Sequence, residues 1–140
     1  MINFLKPFLI LLVAIPILIS CNTDDSRSNC DNISCTEEFR TIIVSIKDEN
    51  QNPVALDSFE VLLTENGNNI AMSFSTSEFE EVQQLGEYPL VNDASFDLNQ
   101  EVQIEFIGFI DEEQVVNEIY VVSTDCCHIN LVSGTLEIIL

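Results

Sequence analysis

The segment from Glu101 to Phe109, EVQIEFIGF, alternates between polar and apolar residues with a period of two. Successive side chains of a β-strand point to opposite faces, so this pattern predicts a half-buried strand. We expect its apolar face to lie against a core, and this face consists of Val102, Ile104 and Phe106. The acidic stretch that follows, from Asp111 to Glu113, predicts a turn into a returning strand.

Segments of similar character lie on both sides of this strand. Further strands are predicted over residues 40–47, 58–64, 70–75, 114–123, 129–132 and 135–140, and segments 88–91 and 94–98 are short candidate strands. Turn signals separate several of them, including the Asn66-Gly67 pair of a predicted hairpin that joins 58–64 to 70–75.

The inward face is predicted for three of these strands from the positions of their apolar residues. In 40–47 the core residues are Ile42, Val44 and Ile46. In 114–123 we expect the core face to be Val115, Ile119 and Val121. In the last strand Leu136, Ile138 and Leu140 share a face, which predicts that this end of the chain is held inside a sheet.

The region from Ser77 to Leu85 is less regular. Its glutamates and glutamines suit a short helix, with Ser77 and Glu80 at the spacing of a capping box. A polar connecting loop fits the same residues. Seven to eight strands with no long helix predict an all-β fold, an antiparallel Ig-like sandwich over residues 36–140.

The N-terminus predicts an exported lipoprotein. The uncharged run over residues 8–19 suits a signal peptide, and it is shorter than the roughly 20 apolar residues that span a membrane. The motif Leu18-Ile19-Ser20-Cys21 resembles a lipobox, which implies a signal peptide over residues 1–20 and a lipid on Cys21. An ordinary signal peptide that is cut elsewhere, or an uncleaved anchor, are the alternatives.

Residues 21–35 are predicted to be the lipidated cysteine and a polar tether, because residues 22–29 contain too little apolar surface to fold. The acidic pair Asp24-Asp25 resembles the export signal of Bacteroidota-type lipoproteins. This resemblance implies that the chain is anchored to the outer membrane of the cell envelope, either on its outer face or on its periplasmic face.

Charge restricts the partners of the protein. The chain has 24 acidic and 4 basic residues and a net charge of −20, which becomes about −21 once Lys6 is removed with the signal peptide. No basic patch can form, so nucleic acid is excluded as a partner, and direct binding to anionic headgroups is disfavoured. We therefore expect membrane contact through the lipid. The acidity itself fits solubility, with calcium or a basic partner as the alternative.

With Cys21 lipidated, four of the five cysteines remain, namely Cys30, Cys35, Cys126 and Cys127. An even number in an exported protein predicts two disulfides. A bridge between neighbouring cysteines is disfavoured, because their Cα atoms lie about 3.8 Å apart, below the usual disulfide range. We therefore expect each early cysteine to pair with a late one, and both cross-pairings remain open.

Metal and redox sites are the alternative interpretations of these cysteines with His128. Adjacent cysteines rarely ligate one metal, and no basic residue near Cys126 in the sequence stabilises a thiolate. His128 itself is expected to be a packing or capping residue.

The remaining candidate sites are better explained by structural roles than by functional ones. The pairs Glu80/Glu81 and Glu112/Glu113 are expected to be solvated. The stretch 48–52 could bind calcium through oxygen ligands, but it lacks the glycine of an EF-hand loop, and we interpret it as a turn. No phosphate-binding glycine-rich loop and no nucleophile-elbow serine occurs, so no metal, cofactor or catalytic residue is predicted.

Two segments resemble known families. Ile42-x-Val44 with residues 46–54, IKDENQNPV, resembles the opening of carboxypeptidase regulatory-like, or transthyretin-like, sandwich domains. The run Asp125-Cys126-Cys127-His128 before an apolar strand resembles small Bacteroidota-type lipoproteins with no established activity. The first resemblance implies a non-catalytic spacer, folding aid or binding module.

The leading functional hypothesis is therefore a non-catalytic, lipid-anchored envelope protein with a structural or binding role. The alternatives are an accessory subunit of an outer-membrane complex and a small thiol-redox or hydrolytic enzyme.

Overall fold

The computed structural model describes Cys30 and residues 32–140. The predicted signal peptide, Cys21 and residues 22–29 lie outside the described residues. The elements are β1 (Thr41–Lys47), β2 (Ser58–Leu63), α1 (Thr76–Leu85), β3 (Glu87–Asn92), β4 (Glu101–Ile110), β5 (Glu113–Thr124), β6 (Ile129–Ser133) and β7 (Glu137–Ile139). Within the described part of the chain, no helix is long and apolar enough to cross a membrane.

The seven strands form two sheets, which confirms the predicted all-β sandwich. One sheet has the order β3-β1-β7 and the other has the order β2-β4-β5-β6. Every pairing is antiparallel except that of β1 with β7, where Ile46 lies opposite Ile138 in a parallel register. The last strand is thus held in the smaller sheet, at its edge, and Leu140 at its end is 40% exposed.

The core lies between the two sheets. The predicted inward residues of β1 and β4 are confirmed, since Val44, Ile46, Ile104 and Phe106 have no exposed surface. Burying such side chains is the main favourable term in folding, at roughly 1.5–3 kcal/mol each. The two tyrosines, Tyr88 and Tyr120, are fully buried in the same core.

The predicted inward face of β5 is wrong. Ile119 is 44% exposed, and Val115 and Val121 are only half-buried. The buried apolar residues of β5 lie on the other face: Val116, Tyr120 and Val122. The cause is the register with β4, which pairs the inward-facing Ile104 with Tyr120 and thereby turns Tyr120 inward.

The predicted strands 70–75 and 94–98 do not form. Pairing of the first with β2 stops after a bridge between Leu62 and Asn69 and a bond from the N–H of Ile70 to the carbonyl of Val61. Beyond this point the side-chain oxygen of Asn69 accepts the N–H groups of Val61 and Ala71 in place of the strand ladder. Asn92 diverts the second, since its side-chain oxygen accepts the N–H of Ala94 in a turn. Asparagine favours such local bonds to the backbone over sheet pairing.

Helix α1 confirms the helical interpretation of this region, but the predicted capping box is wrong by two residues. Ser75 is the N-cap, and its hydroxyl accepts the N–H of Glu78 while the carboxylate of Glu78 accepts the N–H of Ser75. Ser77 and Glu80 lie inside the helix. Both pairs have the same sequence spacing, and only Ser75 and Glu78 form the reciprocal bonds of the capping box.

The C-terminus of α1 is fixed against the sandwich. Gly86 caps the helix in a left-handed conformation with φ of 62°, and a Cβ there would lie 2.7 Å from the carbonyl oxygen of Ile46. Only glycine fits this approach. One turn earlier, the side chain of Gln83 donates to the carbonyl of Leu56 at 2.7 Å. The helix thus joins β3 of one sheet to the segment that leads into β2 of the other.

Candidate functional site

Two disulfides join the start of the described chain to the loop between β5 and β6. Cys30 is bonded to Cys126, and Cys35 is bonded to Cys127, with Cα separations of 5.4 and 5.3 Å. The prediction that each early cysteine pairs with a late one is confirmed, and the structure shows which of the two possible cross-pairings forms. The segment assigned to the tether, 21–35, is therefore covalently attached to the sandwich at Cys30 and Cys35.

The conformation of the β5–β6 loop explains how neighbouring cysteines form separate bridges. The loop runs from Asp125 to His128, and the carboxylate of Asp125 accepts the N–H groups of Cys127 and His128 at 2.7 and 2.8 Å. These two backbone bonds hold the pKa of Asp125 below its usual value. Cys126 and Cys127 therefore lie in a tight turn and not in a strand, and each of them is bonded to the segment that enters the sandwich.

His128 lies beside the second disulfide and is only 9% exposed. Its Nδ1 atom is 3.0 Å from a carboxylate oxygen of Asp93, and its Nε2 atom is 2.9 Å from the hydroxyl of Thr36. When Nδ1 carries the proton and donates it to Asp93, Nε2 accepts from the Thr36 hydroxyl. His128 therefore connects the segment after Cys35 to the end of β3.

Asp93 holds two backbone segments in addition to the imidazole. Its carboxylate accepts the N–H of Arg40 at 2.8 Å and the N–H of Ile129 at 2.7 Å. Burial by itself raises the pKa of Asp93, but the bonds from Arg40, His128 and Ile129 together lower it below the usual value. The charged carboxylate is thus the favoured form in the folded protein.

We define the disulfide-tied end as the two disulfides with Thr36, Asp93, Asp125 and His128. All of these residues lie where β1 begins, β3 and β5 end and β6 begins. Among the named residues, the sequence identified the four cysteines and His128 but not Thr36 or Asp93. One sequence feature could have pointed to Asp93: like Asp125, it directly follows an apolar strand. The sequence does not show that these two strand ends lie together, because that depends on how the strands pair.

The order of groups here is hydroxyl, imidazole and carboxylate. The same order occurs in nucleophile triads, in which the imidazole removes the hydroxyl proton and the carboxylate stabilises the imidazolium. In this protein the carboxylate of Asp93 also binds two backbone N–H groups, so the arrangement serves equally to lock loops together.

The remaining predicted sites are separate from this end. Glu80 and Glu81 are exposed on α1, and Glu112 and Glu113 are exposed at the β4–β5 turn. The stretch 48–52 is a turn, as expected. The carboxylate of Asp48 accepts the side-chain and backbone N–H groups of Asn52 and the backbone N–H of Asn50, and these bonds lower the pKa of Asp48.

No group of three or more histidine, cysteine, aspartate or glutamate side chains is placed to hold a metal ion within the described residues. All four described cysteines are consumed in disulfides, so the zinc interpretation loses its thiolate ligands. Comparison with family models, curated proteins and solved structures gives no match for the chain.

Proposed function

We propose that this chain is a non-catalytic, lipid-anchored module of the cell envelope, with a structural or binding role. The observation that carries the proposal is the pair of disulfides, which attach the segment following the predicted lipid site to one end of the sandwich. Disulfides form and persist in the oxidising compartments that exported proteins reach, and a lipoprotein signal implies such a compartment.

Two bridges at the entry of the chain suit an anchored domain. A tether joined to the domain at one point would let the domain rotate freely. Cys30 and Cys35 instead attach the entering segment at two points to the loop between β5 and β6. Fully extended, the segment from Cys21 to Cys30 reaches about 30 Å. The proposed lipid on Cys21 would therefore hold the disulfide-tied end close to the membrane, with the opposite end of the sandwich directed away from it.

Membrane fractionation of cells that express the full chain tests the anchor. We expect the wild-type chain in the membrane fraction, labelled by radioactive palmitate, and the Cys21→Ser chain in the soluble fraction without label. A matched Ser20→Ala change should leave both readouts unchanged, because a small residue before the cysteine suffices. Cys21→Ser protein that stays labelled and membrane-bound would contradict the proposal.

Partner capture separates a lone module from an accessory subunit of an outer-membrane complex. The wild-type chain would be crosslinked in intact cells and purified under denaturing conditions, with Cys21→Ser as the control for proximity to the membrane. A defined crosslinked species that depends on the anchor supports the subunit role. Monomer alone supports the lone module.

A hydrolytic enzyme is the second candidate, and the geometry of Thr36, His128 and Asp93 favours it. In that role the Thr36 hydroxyl would be the nucleophile and His128 its base. A fluorophosphonate probe labels such nucleophiles. Labelling that is lost in both Thr36→Ala and His128→Gln would establish the enzyme and reject the non-catalytic role, whereas an unlabelled wild-type chain supports the proposal.

A further inference from the structure

A groove runs between α1 and the beginning of β2, on the side of the sandwich rather than at the disulfide-tied end. Its volume is about 590 Å³, within the range of roughly 300–1,000 Å³ that is typical of ligand sites. Its lining is about half polar, and the apolar part is formed chiefly by Phe59, Met72, Phe74 and Phe79.

The aromatic floor of the groove is continuous with the core. The ring of Phe59 lies 5.5 Å from the rings of Phe106 and Tyr88, both fully buried, and 6.1 and 6.3 Å from those of Phe74 and Phe79. Because Phe59 packs on rigid neighbours, the floor is formed before any ligand arrives. Preformed apolar surfaces bind with a smaller entropic cost than surfaces that must be ordered.

The wall that carries Met72 and Phe74 is also held in place. The thioether of Met72 accepts the side-chain N–H of Asn92 at 3.3 Å, and the capping box of Ser75 and Glu78 fixes the chain just after Phe74. The wall is therefore positioned before any ligand arrives, as the floor is.

The charge around the groove is acidic, and although the Asp57 carboxylate accepts the backbone N–H of Asp111 at 2.6 Å, no cationic side chain of the described residues contacts it. Asp57 and Glu80 line the groove, and no lysine or arginine does. In the described part of the chain the only such cations are Arg40 and Lys47, which contact other carboxylates: Glu38 and Glu137. An apolar floor with unneutralised carboxylates beside it is complementary to an apolar group that carries a neighbouring positive charge.

We propose that this groove binds a segment of a partner protein that presents an aliphatic or aromatic side chain next to lysine or arginine. The apolar side chain occupies the floor over Phe59, and the cation lies near Asp57 and Glu80, where the aromatic faces add cation–π attraction. The inference gives a ligand class to the binding role proposed above, but it does not depend on the lipid.

Peptide binding to the full-length chain, held in a nonionic detergent, tests the proposal. The probe is acetyl-Gly-Lys-Trp-Leu-Lys-Gly-amide, and micelles without protein are the blank. The chain contains no tryptophan, so the fluorescence of the peptide reports its own transfer into an apolar site. We expect a saturable blue shift with the basic peptide and none with the same peptide carrying glutamate in place of both lysines.

Charge reversal locates the binding site. Glu80→Lys turns one attraction into a repulsion and should weaken binding about fivefold, whereas Glu65→Lys, a matched change in the exposed loop after β2 and at the end of that strand opposite Asp57, should alter it by less than about twofold. Both residues are exposed, so the variants are expected to keep the fold, and circular dichroism checks this.

Each of the other outcomes overturns the proposal. Equal weakening by both variants would show attraction to the overall negative charge. Equal binding of the basic and acidic peptides would show a groove that takes any apolar ligand, and an unchanged spectrum would show no site. None of these results affects the palmitate and fractionation readouts, so the failure of the groove and the failure of the anchor are distinguishable.

Discussion

Asp93 joins three parts of the chain through one carboxylate. It binds the N–H of Arg40 before β1, the N–H of Ile129 in β6 and the imidazole of His128 in the loop between β5 and β6. Hydrogen bonds to a charged group each contribute about 1.5–3 kcal/mol, more than neutral ones. A single side chain thus organises the end of the sandwich to which the disulfides are attached.

Asp93→Asn is expected to lower the free energy of unfolding by about 2 kcal/mol near neutral pH, because an amide keeps one acceptor and loses the charge. The folded pKa of Asp93 lies below 3.8, so its stabilisation is fully present above that value and is lost as pH falls through the folded pKa. The difference between wild type and variant should therefore shrink in acid. Urea unfolding across pH measures it.

Asp97→Asn is the matched control, because Asp97 is an exposed carboxylate in the loop that leads to the same end. Its effect should stay within about 0.5 kcal/mol and should not follow the acid dependence of Asp93→Asn. Equal effects of both variants would show that net charge, rather than the hydrogen bonds of Asp93, determines the stability.

The two tyrosines should ionise only when the protein unfolds. Burial raises the pKa of Tyr88 against the opposing bond from the N–H of Leu56, and burial together with the nearby charge of Glu118 raises the pKa of Tyr120. A folded pKa above the unfolded value of about 10 gives stability that is complete below pH 10 and is lost as pH rises further.

Tyrosinate absorbance and circular dichroism, followed together in alkali, check this expectation. They should change in one transition above the ordinary tyrosine range, since Tyr88 and Tyr120 are the only tyrosines in the chain. Ionisation near pH 10 with the circular dichroism of the folded state intact would contradict it.

At the scale of elements, α1 shows how a local signal depends on its surroundings. The pairs Ser75/Glu78 and Ser77/Glu80 both have capping-box spacing, but only the first forms the reciprocal bonds. The groove wall that carries Met72 and Phe74 leads directly into Ser75, which also lines the groove.

Ser75→Ala should destabilise the protein by about 1 kcal/mol, because the N–H of Glu78 loses its acceptor at the helix N-terminus. Ser77→Ala is the matched control, with the same chemical change two residues later; the Ser77 hydroxyl lies 3.3 Å from that of Ser75, but without it the N–H of Glu78 keeps its acceptor, so the effect should stay within about 0.5 kcal/mol. Thermal unfolding of the two variants compares them. A larger effect at Ser77 would show that Ser77, and not Ser75, caps the helix, and would contradict this expectation.

At the scale of the whole molecule, the two disulfides are not independent. The bonded cysteines are 96 and 92 residues apart, so the first bridge to form closes a long loop. Once either bridge exists, the other closes a ring of only about eight residues, made of the 30–35 segment and the adjacent Cys126 and Cys127. The chain-entropy contribution of a bridge falls with the size of the loop it closes.

Removing either bridge alone should therefore cost about 2.5 kcal/mol, whereas removing both should cost about 7 kcal/mol. Chemical denaturation of Cys30→Ser/Cys126→Ser, of Cys35→Ser/Cys127→Ser and of the quadruple variant tests this. Two double variants that each lose close to 5 kcal/mol would show that the bridges act separately.

Much of the fold could be predicted from local pattern. Alternation in β1 and β4 identified both the strands and their inward faces, because a period of two is a property of the strand itself. Segments 70–75 and 94–98 failed for a specific reason, since the side chains of Asn69 and Asn92 compete with sheet pairing for the same backbone N–H groups.

The sequence by itself determined the all-β sandwich and the division of four cysteines into early and late partners, because alternation and residue chemistry act locally. Only the tertiary structure decided the register that turns Tyr120 inward, the partner of each cysteine and the contact of Thr36 and Asp93 with His128. β5 is apolar on both faces, and these three residues lie far apart in the chain. Pairing between strands that are distant in the sequence therefore determines these features, because it alone brings the ends of those strands together.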